Sequence, residues 1–153
     1  MTGMDFEKAR FNMVEQQIRP WDVLNPRVLD VISEIPREQF TPDQYRSIAY
    51  TDTRIPVGVY ESHPVLMAQP NINGRILQAL DVQDDDLVLE IGTGTGYLTA
   101  CLAKLGRHVD SVDINEELIE KAAENLGALG ITNFNLSQGD ASSKWEQKTA
   151  YDC

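Results

Sequence analysis

At 153 residues with 42% apolar side chains, the chain has room for one domain with a sizeable core. Its 13 Lys and Arg against 24 Asp and Glu leave a net charge of −11, a surface that repels phosphate backbones and anionic membranes and so excludes nucleic acid and membrane from the expected partners. Cys101 and Cys153 make no disulfide framework, neither they nor His63 and His108 stand at metal-ligand spacing, and no signal peptide or membrane-length apolar run is visible; the expectation is a cytoplasmic protein without a metal.

Asp5 to Arg19 places Phe6, Ala9, Met13, Val14 and Ile18 at helical spacing, and Pro20 is expected to end that helix. Asn25-Pro26 reads as an N-cap with proline at the first helical position, opening a short helix that Pro36 stops. Thr41-Pro42 repeats the device for a third short helix ending near Ala49. Tyr50 to Pro70, with Pro56, Pro64, Pro70 and Gly58, reads as extended pieces and turns, a loop of the kind that lines active sites. Within it, Ser62-His63 lack the third group that orients a nucleophile and its base. From Asn71 or Asn73 a helix runs through Leu80, and Asp84-Asp85-Asp86 reads as a solvated turn rather than a metal site.

The informative stretch follows. Leu87 to Ile91 is a nearly continuous apolar run, as expected of a parallel strand buried on both faces, and Gly92, Gly94 and Gly96 come at once at alternate positions. Tyr97 to Leu105 reads as an apolar helix stopped by Gly106. A strand, a glycine turn and a helix N-terminus let a ligand approach the main chain and its unpaired N–H groups. His108 to Ile114 reads as a second strand ending in Asp113, 21 residues beyond Gly92, near the offset at which an acidic residue holds ribose hydroxyls.

The dinucleotide fingerprint G-x-G-x-x-G/A is not matched, because position 97 is Tyr. With no pyrophosphate to seat, this tighter turn suits S-adenosylmethionine, and Glu90 suits its cationic amino-acid end; NAD is the weaker alternative, and a glycine turn without a ligand the plain one. The candidate cofactor contacts are Glu90, Gly92, Thr93, Gly94, Gly96, Asp113 and Ile114. Asn115 then caps a helix with Leu118, Ile119, Ala122, Leu126 and Leu129 on its buried stripe, closed by Gly130. Thr132 to Ser137 reads as a third strand leading to Gln138-Gly-Asp-Ala141, on the sheet edge that carries the glycine turn. Asp140 is there a candidate for the adenine amino group or a plain turn residue.

Together these motifs resemble a class I methyltransferase, and the chain is similar to the protein-L-isoaspartate O-methyltransferase family. The similarity is carried by MVEQQIRPWDVLNPRVLDVI at 13–32, IPREQF at 35–40, AYTDTRIPVG at 49–58, VLEIGTGTGYLTACLAKLG at 88–106, SVD at 111–113 and QGD at 138–140. The resemblance implies an α/β fold, a Rossmann-like doubly wound, mostly parallel sheet. The expectation for this chain is such a sheet truncated after about three strands with an N-terminal helical cap, 1–80 being cap and substrate loop and 81–153 the cofactor-binding part. It implies that Glu90, Gly92 and Gly94 line the adenosylmethionine pocket, that Asp113 binds the ribose, and that Asp140 with Ala141 binds the adenine. Asp52 matches the family's acidic residue before the substrate loop. The implied reaction moves a methyl group to a carboxylate oxygen of an isoaspartyl residue in a protein or peptide, which repairs damaged protein.

Two departures from the family pattern bear on that reaction. The family follows L-P-I-G with a short G-x-G-Q-T-I-S-x-P, whereas Ile55-Pro-Val-Gly58 leads into a longer segment to Gln69-Pro70, which puts Leu66 at the family threonine and Ala68 at the serine. Ser62 replaces that serine only if the loop folds back. The alternative is a binding module that keeps the cofactor pocket without the acceptor chemistry. The second departure is at Ala150-Tyr-Asp-Cys153, where the family's fourth strand begins; that strand lies beside Leu87–Ile91, so an exposed edge open to self-association is expected there.

Overall fold

The computed structural model describes residues 3–143 and 150–153. Asp5 accepts the Lys8 N–H at 3.0 Å and so caps helix α1, Phe6–Met13. Pro20 does not end the helical path. A π-helical turn, Val14–Ile18, continues it, then a 3₁₀ turn, Arg19–Trp21, and the path stops at Asp22 in the left-handed region at φ 58°. The Arg19 N–H bonds Val14 O, five residues back. This wider turn carries the chain past the point where the proline ring meets the carbonyl four residues earlier. Helix α2, Pro26–Glu34, starts as anticipated, with Asn25 Oδ1 accepting from the Arg27 and Val28 N–H groups. The third helix, expected from Thr41-Pro42 to near Ala49, is present as a 3₁₀ helix, Asp43–Ile48, and a further 3₁₀ turn, Arg37–Phe40, precedes it.

Residues 50–70 are more regular than their prolines suggest. Strands β1, Ile55–Tyr60, and β2, His63–Met67, form an antiparallel hairpin with an irregularity between Pro56 and Gly58. Each strand of a two-stranded ribbon keeps one unpaired edge, so Pro56 and Pro64 fit without removing a ladder bond. The connection is Glu61-Ser62, both at positive φ (45° and 66°), the backbone of a tight hairpin turn.

Helix α3, Pro70–Leu80, begins with proline at its first position, earlier than Asn71 or Asn73. Strand β3, Leu87–Ile91, helix α4, Tyr97–Leu105, strand β4, His108–Asp113, helix α5, Glu116–Ala128, and strand β5, Phe134–Gln138, follow among the described residues. The three strands are parallel in the order β3-β4-β5, with Leu87 opposite His108 and Val109 opposite Phe134. That register brings the glycine turn, Asp113 and Gln138-Gly139 to one end of the sheet. One core runs through the molecule, from Met13, Ile18 and Ile32 to Leu77, Val88, Leu102 and Leu126. Gly106 is tightly packed, since a Cβ there would lie 3.0 Å from Val82 Cγ1 and 3.2 Å from Asp86 O. No described helix is long and apolar enough to cross a membrane.

The outer edge of β3, expected to be open, is partly covered. Asp152 and Cys153 donate their N–H groups to Leu87 O at 2.8 and 3.4 Å, and Cys153 O accepts from the Leu89 N–H at 2.9 Å, the spacing of a parallel pair. Asp152 Oδ2 accepts the Leu87 N–H at 2.9 Å, and the Tyr151 hydroxyl donates to Asp110 Oδ2 at 2.6 Å. Among the described residues, only the start of the strand is covered, and Ile91 at its end is 56% exposed.

Candidate functional site

The site is built on the turn between β3 and α4. Gly92, Gly94 and Gly96 all have positive φ, at 95°, 56° and 92°, which side chains rarely adopt, but their surroundings differ. A Cβ at Gly92 or Gly94 would meet nothing within 4 Å, whereas at Gly96 it would lie 3.2 Å from Ala122 Cβ on α5. The first two thus leave open space for a ligand, and the third lets α5 pack close. Gly96, counted from the motif as a cofactor contact, faces a helix.

Two clefts open on either side of this turn, and Gly92 lines both. The first, about 190 Å³, is walled by the glycine turn with Val57, Leu66, Ala68, Asn73, Ile76 and Tyr97 among its lining residues. The second, about 240 Å³, is formed by Ile91, Val112, Asp113, Ile114 and the Gly139–Ser142 turn. Most of the sequence-predicted contacts converge here: Thr93 and Gly94 on the first cleft, Asp113, Ile114, Asp140 and Ala141 on the second. Asp113 also ties the turn down, Oδ2 accepting from the Gly94 N–H and Oδ1 from the Asn115 N–H, both at 2.9 Å. A carboxylate has about four acceptor positions, so capacity for a ligand hydroxyl remains. Asp140 Oδ1 accepts from the Ser142 N–H at 2.9 Å and hydroxyl at 2.6 Å, and these bonds hold its carboxyl below the usual range.

Glu90 lies beneath the turn and lines neither cleft. It is 6% exposed, its Oε1 accepts from the hydroxyls of Thr99 and Ser111, and its Oε2 has no partner. Burial is the main cause that pushes its carboxyl up to about 7, opposed by the Ser111 and Thr99 hydrogen bonds and reinforced by Asp113. Ser111 Oγ is 2.6 Å from Thr93 Oγ1, so the chain Glu90–Ser111–Thr93 runs from the buried carboxyl to the cleft wall. The orphaned acceptor Oε2, the open cradle at Gly92 and Gly94, and the acidic residue at the end of β4 fit a ligand with a cationic end and a ribose.

Ser62 and Asp52 are not brought to either cleft. Ser62 is exposed at the hairpin tip and does not fold back, because the tight turn points it away from the ends of β1 and β2; Asp52 is exposed in the bend before β1. The lining at that end is Leu66 and Ala68, neither carrying a hydroxyl. Sequence reasoning missed Arg37, Asn73, Thr99 and Ser111. The last two had a signal, a hydroxyl at a fully buried position of an apolar helix and of a strand; the first two had none.

The sequence model of protein-L-isoaspartate(D-aspartate) O-methyltransferase matches residues 8–153. The chain belongs to this family. It is 39% identical over 147 residues to protein-L-isoaspartate O-methyltransferase 1 of Rhodopseudomonas palustris, covering 96% of this chain and 58% of that one. It is 38% identical to the corresponding protein of Syntrophus aciditrophicus, covering 96% and 66%. A solved protein-L-isoaspartate O-methyltransferase superposes with a TM-score of 0.78 at 26% identity, over 95% of this chain and 45% of that one. The chain thus spans less than two thirds of these family members' own length, and the α/β fold with a parallel sheet is the family's fold.

Proposed function

We propose that the two clefts hold one S-adenosylmethionine across the glycine turn, and that the protein transfers its methyl group to a carboxylate of isoaspartyl residues in proteins or peptides. The observation that carries this is the pair of clefts meeting at Gly92, one apolar and facing the substrate hairpin, the other closed by Asp113 and Asp140. Gly92 and Gly94 would form the floor, Asp113 would take the ribose, Ile114, Asp140 and Ala141 the adenine, and Thr93, whose hydroxyl is tied through Ser111 to Glu90, would stand beside the amino-acid end. When bound, the cofactor supplies an electrophilic methyl on a sulfonium.

An ionised carboxylate is already a nucleophile, so the residues of the first cleft need to align it and exclude water rather than move a proton. Val57, Val65, Leu66 and Met67 supply that apolar wall. The net charge of −11 supports a protein rather than a nucleic-acid substrate, and a cytoplasmic location fits the same composition. A second reading, cofactor binding without acceptor chemistry, is favoured by one observation, Ala68 where the family has serine. Calorimetry with S-adenosylhomocysteine and radiolabelled methyl incorporation into an isoaspartyl peptide test both. Binding with transfer is expected; binding without transfer leaves the second reading, and absence of binding removes both.

A further inference from the structure

Arg37 is fully buried and lies between segments rather than along one. Nε donates to Ala49 O at 2.8 Å, Nη1 to Asn73 Oδ1 at 3.0 Å and Nη2 to Ala68 O at 2.5 Å, and the guanidinium sits 4.8 Å from the centre of the Tyr97 ring. Ala49 precedes the β1–β2 hairpin and Ala68 follows it, so one side chain ties both ends of the hairpin segment to α3 and α4. Ala68, Asn73 and Tyr97 all line the first cleft. No carboxylate among the described residues pairs with Arg37, whereas the Arg and Lys ion pairs found are ordinary ones near the surface. The lining of the first cleft carries no charged side chain at all.

A buried charge without a counter-ion is costly, and in surroundings this apolar its field is weakly damped. Burial lowers the Arg37 pKa from its ordinary value, but an arginine so far above neutral stays protonated. We propose that Arg37 is the positioning residue through which the first cleft selects an anionic acceptor: held against three lining residues, its unneutralised charge favours a carboxylate over the corresponding amide. The inference rests on the first cleft being the acceptor site, as proposed above.

The test is fluorescence anisotropy with a labelled isoaspartyl hexapeptide and the same peptide with that carboxylate capped as the primary amide. Both are titrated against the parent, Arg37→Lys and Arg37→Met at saturating S-adenosylhomocysteine. The parent should prefer the carboxylate by about tenfold. R37K, which keeps the charge, should stay within about threefold of that ratio, and R37M should fall to within about twofold of unity. An unchanged ratio in R37M overturns the inference. A salt series on the parent gives a decision that needs no variant to fold. Preference that survives about 0.5 M salt supports a buried source, and preference that disappears marks surface charges and overturns it. Methyl incorporation by the parent separates the two claims: transfer without carboxylate preference overturns the role of Arg37 alone, while neither binding nor transfer overturns the acceptor site with it.

Discussion

Glu90→Gln should change the pH dependence of stability in a way that isolates one carboxyl. The Glu90 carboxyl ordinarily titrates at 4.5 and is pushed up to about 7 in the folded protein, mainly by burial. A folded pKa raised above the unfolded one means that the folded state holds the proton more tightly. The favourable contribution is therefore complete below about 4.5, is lost as the pH rises to about 7, and is constant above that. The rise from 4.5 to about 7 is worth about 3 kcal/mol. Gln keeps the acceptor for Thr99 and Ser111 but places an amide at the orphaned Oε2, a fixed penalty of about 1–3 kcal/mol at every pH. The difference in unfolding free energy, variant minus parent, should thus begin negative at pH 4.5 and climb by about 3 kcal/mol by pH 7.5. Urea melts of both proteins across that range measure it, and other carboxylates such as Asp110 and Asp140 cancel in the difference. A difference flat within about 1 kcal/mol refutes the reasoning, because Glu90 would then titrate as a solvated group.

Gly92→Val and Gly96→Val should fail differently. The first places its side chain in open space and should abolish S-adenosylhomocysteine binding with a loss of about 1–3 kcal/mol from the φ of 95°, while the second adds overlap with Ala122 and should lose more stability; calorimetry and thermal melts of each distinguish the two. Glu61→Asn with Ser62→Gly should stabilise the hairpin turn by about 0.5–1 kcal/mol and leave methyl transfer intact, and a loss of transfer on assay would restore Ser62 to the chemistry. Removing residues 150–153 deletes the main-chain bonds to Leu87 and Leu89, at about 1 kcal/mol each, and bares the β3 edge. Sedimentation velocity should show greater association than for the parent at tens of micromolar, and an unchanged monomer would show that the edge is closed by other means.

How far the sequence could be read follows from where each feature is encoded. The β3–glycine turn–α4 unit was legible because a parallel strand and a sharp turn each constrain residue type locally, although the strand is not buried on both faces as its apolar run suggested: only Val88 and Glu90 are buried. The same holds for Asn25 and Asn115 as caps, whose short side chains can bond only the backbone two or three residues on. Pro20 misled because its rule assumes an α-helix, and the π turn at Val14–Ile18 removes the clash on which the rule depends. The hairpin was hidden by Pro56 and Pro64, which forbid central strands but not a two-stranded ribbon. Its turn carries Glu61-Ser62 rather than Asn-Gly, so the positive φ values had no glycine to announce them.

The two clefts divide along the same line. The second is made of residues at strand ends, where Asp113, Ile114, Asp140 and Ala141 follow from the alignment of parallel strands and can be counted along the chain. The first includes Ala68 and Asn73, which Arg37 ties together from 31 and 36 residues away, and no local pattern encodes such contacts. The departure at Ala68 takes a different meaning from this. Arg37 holds residue 68 through its main-chain carbonyl, which any side chain provides, so exchanging serine for alanine leaves the wall in place and removes only a hydroxyl from the cleft. If the first cleft takes the acceptor as proposed, the substitution acts on the chemistry offered there and not on the architecture, and Ala68→Ser would return a hydroxyl to the lining without disturbing the bond from Arg37.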